Sequence, residues 1–163
     1  MKTLKSHLVC FALLSFFLMQ FSNAQIAYQW QKAYGGSLND GAYSISTTND
    51  GGTIVGGYSY SGISGIKTES AYGLGDYWVL KLDADGNVEW QKTYGGSGLD
   101  VLVQVVQTAD GGYFVGGYSQ SPISGNKTEN SIAGTPDIWL LRIDGVGNIL
   151  WQTDLGGNGT DYL

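Results

Sequence analysis

The stretch "WQKTYGGSG" beginning at Trp90 repeats "WQKAYGGSL" from Trp30 and returns as "WQTDLGGNG" from Trp151. A repeat of this length constrains the fold more than composition does, because a short unit cannot bury its apolar face alone and must stack on its neighbours. Aligning 30–89 with 90–150 needs one inserted residue, between Glu129 and Asp137, and leaves roughly half the positions identical. The shared skeleton runs W-Q-K-x-Y-G-G-S, T-x-D-G-G, V-G-G-Y-S, S-x-I-S-G-x-K-T-E, D-x-W-x-L and D-x-x-G-N-x-x-W.

Each unit resolves into four predicted strands. The first is Ala42 to Thr48, repeated as Leu102 to Thr108, both rich in β-formers. Asp50-Gly51 and Asp110-Gly111 then supply the positive φ of a hairpin turn. The second strand is "TIVGGYSY", matched by "YFVGGYSQ". After a long polar loop comes the third, "YWVLKLD" and "IWLLRID", where Trp78, Leu80 and Leu82 share one face, as do Trp139, Leu141 and Ile143. Turns at "DADGN" and "GVGN" lead into the fourth, "VEWQKTY" and "ILWQTDL".

Four short antiparallel strands repeating at roughly 60 residues describe an all-β chain of β-propeller blades, with an open β-solenoid or flat array as the alternative. The glycine pairs Gly56-Gly57 and Gly116-Gly117 predict that something large, a tryptophan, presses on the second strand. The segments read as a lone fourth strand and linker over 25–41, a blade over 42–96, a second over 97–157 and the start of a third over 158–163. Propellers close with about 4 to 8 blades, so the expectation is the N-terminal part of a longer propeller. Ile26 to Tyr34 would then complete the blade built by the other end.

Residues 1–24 read as a signal peptide: Lys2 and Lys5, an apolar run from Leu8 to Phe21, then Ser22-Asn23-Ala24 before a cut. The run falls short of the roughly 20 residues that span a bilayer, and no other long apolar run follows. Cys10 lies too early in it for a lipoprotein box. Without the leader, the chain has no cysteine or histidine, which removes a disulfide framework, a thiol nucleophile, an imidazole base and histidine-bound zinc. The full chain has 8 basic and 14 acidic residues; losing Lys2 and Lys5 leaves 6 against 14, a net charge of −8. Such a surface repels nucleic acid.

The phrases "WQKTYGGSG", "TADGGYFVGGYS", "DYWVLKLDADGNVEWQKTYGG" and the S-G-x-K-T-E loop resemble the tandem repeats of large bacterial proteins exported by the type IX secretion system. That resemblance, over Tyr28 to Leu163, implies the secretion machinery as a partner and a secreted or cell-surface location. The turn before each final tryptophan is also similar to the tryptophan-docking motif of quinoprotein propellers. Gly86 with Trp90 and Gly147 with Trp151 match it, whereas Asp83 and Asp144 stand one residue nearer the glycine. This second similarity implies a way of locking blades together and no quinone ligands.

No residue reads as catalytic. Asp40, Asp50, Asp76, Asp83, Asp100, Asp110, Asp137, Asp144 and Asp161 recur at equivalent positions, as expected of turn-shaping residues needed in every unit. Glu69, Glu89 and Glu129 do not form a convincing glycosidase pair, since Glu69 and Glu129 are one position of two units and Glu89 becomes Leu150. Asp83, Asp85 and Asn87 offer alternating oxygens for Ca2+, although the second unit keeps only Asp144 and Asn148, and an Asx turn accounts for both. For binding, the long loops carrying Lys67, Tyr72, Lys127 and Asn130 are the candidates, with a polysaccharide or surface protein as ligand. The competing reading is that these loops fold back over a strand edge. The expected function is a non-catalytic scaffold or binding protein. Its rival is the propeller module of an extracellular glycoside hydrolase whose catalytic domain lies beyond Leu163.

Overall fold

The computed structural model describes residues 29–163, so the leader expected over 1–24 and Ile26 to Tyr28 of the expected closing strand lie outside the described residues. Eight strands follow one another: β1 (Asp40–Thr47), β2 (Thr53–Ser59), β3 (Asp76–Leu82), β4 (Val88–Tyr94), β5 (Asp100–Gln107), β6 (Tyr113–Ser119), β7 (Asp137–Ile143) and β8 (Ile149–Leu155). They form two four-stranded antiparallel meanders, β1-β2-β3-β4 and β5-β6-β7-β8. A single turn of 3-10 helix, Ile132–Gly134, occupies the inserted residue's loop.

Turn chemistry sets the strand ends. Gly51 and Gly111 adopt φ of 83° and 87°, as the Asp-Gly pairs require. Each first strand begins two residues earlier than its hydrophobic pattern predicts, because Asp40 and Asp100 already pair with Ser59 and Ser119. It ends one residue earlier because Thr48 and Thr108 turn their hydroxyls onto Asp50 and Asp110. Even the irregularities repeat. The first strands bulge between Ala42 and Ser44 and between Leu102 and Gln104, and the third strands shift at Lys81/Leu82 and Arg142/Ile143.

The two sheets pack face to face. Tyr77 and Val79 of β3, with Ile54 and Tyr94, meet Leu102, Val105, Trp139, Leu141 and Ile143 of the second unit in one core. The other face of β3 carries Trp78, Leu80 and Leu82, packed with Trp30, Tyr34, Val55 and Val88. β3 is thus buried along its whole length, because successive side chains of a strand face opposite neighbours. In β7, Ile138 and Leu140, the counterparts of Tyr77 and Val79, are only half-buried.

The glycine pairs are crowded, but no tryptophan does the crowding. A Cβ on Gly56 would lie 2.7 Å from Leu102 and 3.0 Å from Val105 of the next unit. One on Gly57 would run into the backbone of Gly41 and Ala42, which the first-strand bulge bends over it. Gly117 meets Val101 and Leu102 in the same way, together with the Tyr77 hydroxyl, and Gly116 meets Leu140 and Leu163. Leu163 therefore sits on Gly116 as Leu102 sits on Gly56, the placement expected of a third first strand.

Candidate functional site

Lys67 and Lys127, expected as ligand contacts on an exposed rim, are instead 1% and 2% exposed. The "SGxKTE" loops fold back along the fourth strand as straps, and each lysine turns inward beneath its strap. The Lys67 ammonium stands 5.4 Å from the Trp78 ring centre and donates to Thr93 Oγ1 at 2.8 Å. Lys127 stands 5.1 Å from the Trp139 ring and forms a buried ion pair with Asp154. Burial pulls the Lys67 ammonium below its ordinary pKa, against the opposing pull of Asp76, Asp40 and Glu69. In the second unit burial likewise raises the Asp154 carboxyl, while Lys127 opposes the shift.

The straps are clipped at matching points. Gln91 accepts from the Trp78 indole and the Thr68 N–H and donates to the Ile66 carbonyl; Gln152 does the same with Trp139, Thr128 and Asn126. Glu69 and Glu129 accept from the N–H groups of Thr93 and Asp154, so the outer edge of the fourth strand is partly covered. The glutamine of the repeated phrase was legible as a recurring polar residue beside tryptophan. Its partners on the strap were not, because they lie 23 to 26 residues away across a loop.

The recurring aspartates shape turns and junctions. Asp40 Oδ2 accepts from the Gly36 N–H and Asp100 Oδ2 from the Gly96 N–H, both at 2.7 Å, and Asp161 repeats this with Gly157 at 2.8 Å. Asp76 and Asp100 flank Gly95, where a Cβ would strike both carboxylates, and Asp137 and Asp161 flank Gly156. Burial raises the Asp76 carboxyl to about 7, with the like charge of Asp100 adding to the shift and the N–H groups of Tyr72 and Gly73 opposing it. These pairs lie between units, not across an open cleft. Asp50 pairs with Lys81 at 2.8 Å and Asp110 with Arg142 at 2.6 Å.

Asp83 is the anchor of an Asx turn. Its Oδ1 accepts from the N–H groups of Asp85 and Asn87, and its Oδ2 from the Asn87 amide. These bonds, that of the Asn87 side chain foremost, hold the carboxyl below its usual range. Asp144 makes the same three bonds with Val146 and Asn148, so the cradle forms whether or not an aspartate stands at position 85. Among the described residues no group of three or more acidic, histidine or cysteine side chains is placed to hold a metal ion.

Onto these turns dock the repeated tryptophans. The Trp30 indole donates to the Ala84 carbonyl and the Tyr34 hydroxyl to that of Gly86, at 3.0 and 2.7 Å. One unit later, Trp90 donates to Gly145 and Tyr94 to Gly147 at the same two distances. Trp151, last of the series, is 46% exposed.

Of the four loop candidates, Tyr72 is the one brought to an open groove. It is exposed beside Glu69, Lys92, Asn126 and Asn148 in a polar trough of about 260 Å³ between the units. Asn130 lies outside it and accepts from the Ile123 N–H, closing its own loop. Among the described residues no helix is long and apolar enough to cross a membrane. Comparison with protein-family models and with curated proteins gives no match for this chain.

Proposed function

We propose that the chain forms successive blades of a β-propeller that acts as an exported, non-catalytic scaffold and binding surface at or beyond the bacterial cell surface. The observation supporting this reading is the tryptophan–tyrosine lock with the same donors and distances at both junctions. Strands pair within each unit, and among the described residues only the isolated parallel bridge Gly75 to Leu99 pairs backbone across the junction, as suits a blade better than a solenoid turn. The leader and the type IX repeat resemblance support export. The trough around Tyr72 suits a hydroxyl-rich ligand, with an aromatic face beside paired charges and amides.

Electron microscopy of the intact gene product tests the architecture: rings with a central channel are expected, and rods would overturn the reading. Retention on a polysaccharide panel without turnover is the expected outcome for the ligand. Turnover would transfer the assignment to an extracellular glycoside hydrolase.

A further inference from the structure

Tyr77 of the first unit fills a socket in the second. Its ring lies 4.9 Å from that of Trp139, its hydroxyl donates to the Trp139 carbonyl at 3.0 Å, and the same hydroxyl lies 2.8 Å from where a Cβ on Gly117 would stand. Tyr77 is wholly buried there.

The first unit has the same socket, and among the described residues nothing fills it. A cavity of about 110 Å³ is lined by Gly57 and Trp78, the counterparts of Gly117 and Trp139, with Ala42, Leu80 and Tyr34 around them and the Asp40 carboxylate at one side. Beside it run residues 30–34, which stand toward the first unit's turn as 90–94 stand toward the second's. Among the described residues this segment pairs with no strand. In the first sheet, Tyr94 pairs directly with Tyr77. A strand pairing antiparallel with residues 30–34 would therefore place its residue opposite Tyr34, the counterpart of Tyr94, in line with the open socket.

We infer that residues 30–34 and the Gly57–Trp78 socket form one docking site for an extended segment that carries a tyrosine, taken up by strand addition. The ring would lie on Trp78 and the phenol would donate to the Trp78 carbonyl, reproducing what Tyr77 does against Trp139. Backbone pairing supplies affinity in such a mode, and the side-chain socket supplies selectivity. This inference rests on the reading that units of this kind stack, and it names the chemistry recognised at the open end of the stack. Apart from Asp40, whose buried Oδ1 has no partner among the described residues, the socket is predominantly apolar, so an acidic residue at that position would be rejected.

The test is a titration of the isotope-labelled protein, lacking its leader, with a peptide of the sequence Gly75–Asp83, which carries Tyr77. Binding should shift the amide signals of residues 30–34 and Gly57, with ring contacts to the Trp78 indole. The Y77A peptide should bind about tenfold more weakly, as the loss of one buried ring implies, and Y77F should fall between them. Equal binding of the three peptides would overturn the inference. So would ring contacts elsewhere, or contacts showing that residues 25–28 already fill the socket. The peptide result is separable from the propeller reading: rods under the microscope with a tyrosine-selective peptide site would sink the ring and leave the site standing.

Discussion

The indole of Trp90 donates to the carbonyl of Gly145 at 3.0 Å, joining the last strand of one unit to the final turn of the next. Its ring also packs edge-on against Tyr113, 5.9 Å away. Trp151 holds the same place in its own strand, has no turn of a following unit among the described residues, and stands half exposed. Trp90→Ala should therefore cost about 2–3 kcal/mol of unfolding free energy, and Trp151→Ala less than about 1 kcal/mol. Urea denaturation of the two variants checks the difference. Equal losses would mean that the lock contributes nothing beyond burial within the strand.

Two turn glycines, one of them under Trp90, separate backbone strain from crowding. Gly111 and Gly147 share a φ of 87°, but a Cβ on Gly111 meets nothing within 4 Å, whereas one on Gly147 meets Lys92 at 2.7 Å and the Trp90 ring at 3.1 Å. Gly111→Ala should cost about 1–2 kcal/mol from the left-handed backbone alone. Gly147→Ala should cost visibly more in the same denaturation assay.

Lys127 and Asp154 form a pair excluded from solvent, so removing the acid leaves a buried ammonium. Asp154→Ala should destabilise by about 3 kcal/mol. Asp154→Thr copies the first unit, where Thr93 accepts from Lys67 at 2.8 Å, and should restore part of the loss. Thermal unfolding of the two variants reads this out, and an Asp154→Thr variant no better than Asp154→Ala would refute the equivalence of the two straps.

Asp76 gives the stability a pH dependence of definite sign. Its carboxyl titrates at about 7 in the fold and near 3.8 in the unfolded chain, so the native state binds this proton more tightly. The contribution is full below about pH 3.8 and is lost as pH rises through 7. Asp76→Asn removes it, and the urea midpoint of the variant should fall less between pH 4 and 7 than that of the natural protein. Parallel pH profiles would show that Asp76 is not the group responsible.

Tyr72 is the exposed aromatic of the polar trough, and its ring packs over Gly125. If a polysaccharide is retained, Tyr72→Ala should weaken retention at least several-fold while the unfolding free energy stays within about 0.5 kcal/mol of the original. Undiminished retention would place the ligand elsewhere.

Much of the architecture could be read from the sequence because its signals are local. Two-residue alternation in "YWVLKL" marks a strand, and Asp50-Gly51 marks a turn that only a positive φ completes. The antiparallel pairing of first with second strand and of third with fourth followed from short connections. What could not be read was the direction in which polar side chains turn. Lys67 sits in a stretch of serine, glycine and threonine that looks solvated, and nothing local reveals the Trp78 ring or the Gln91 clip that draws it inward. The expected tryptophan over the glycine pairs failed for the same reason: the backbone that crowds Gly57 belongs to a bulge, and bulges leave no compositional mark. Tyr77 was visible only as one residue of a strand, since its socket belongs to the next unit and Ile138 occupies the matching position there.

The alternation of β3 has an evolutionary consequence. Tyr77 faces forward into the following unit while Trp78 faces back, so each unit offers one side of a junction and receives the other. A gene duplication that inserts a whole unit between two others would leave each junction with a matching knob and recess. Insertions of any other length would separate them. Tandem growth in whole units is therefore the route by which such a gene lengthens without first passing through a misfolded intermediate.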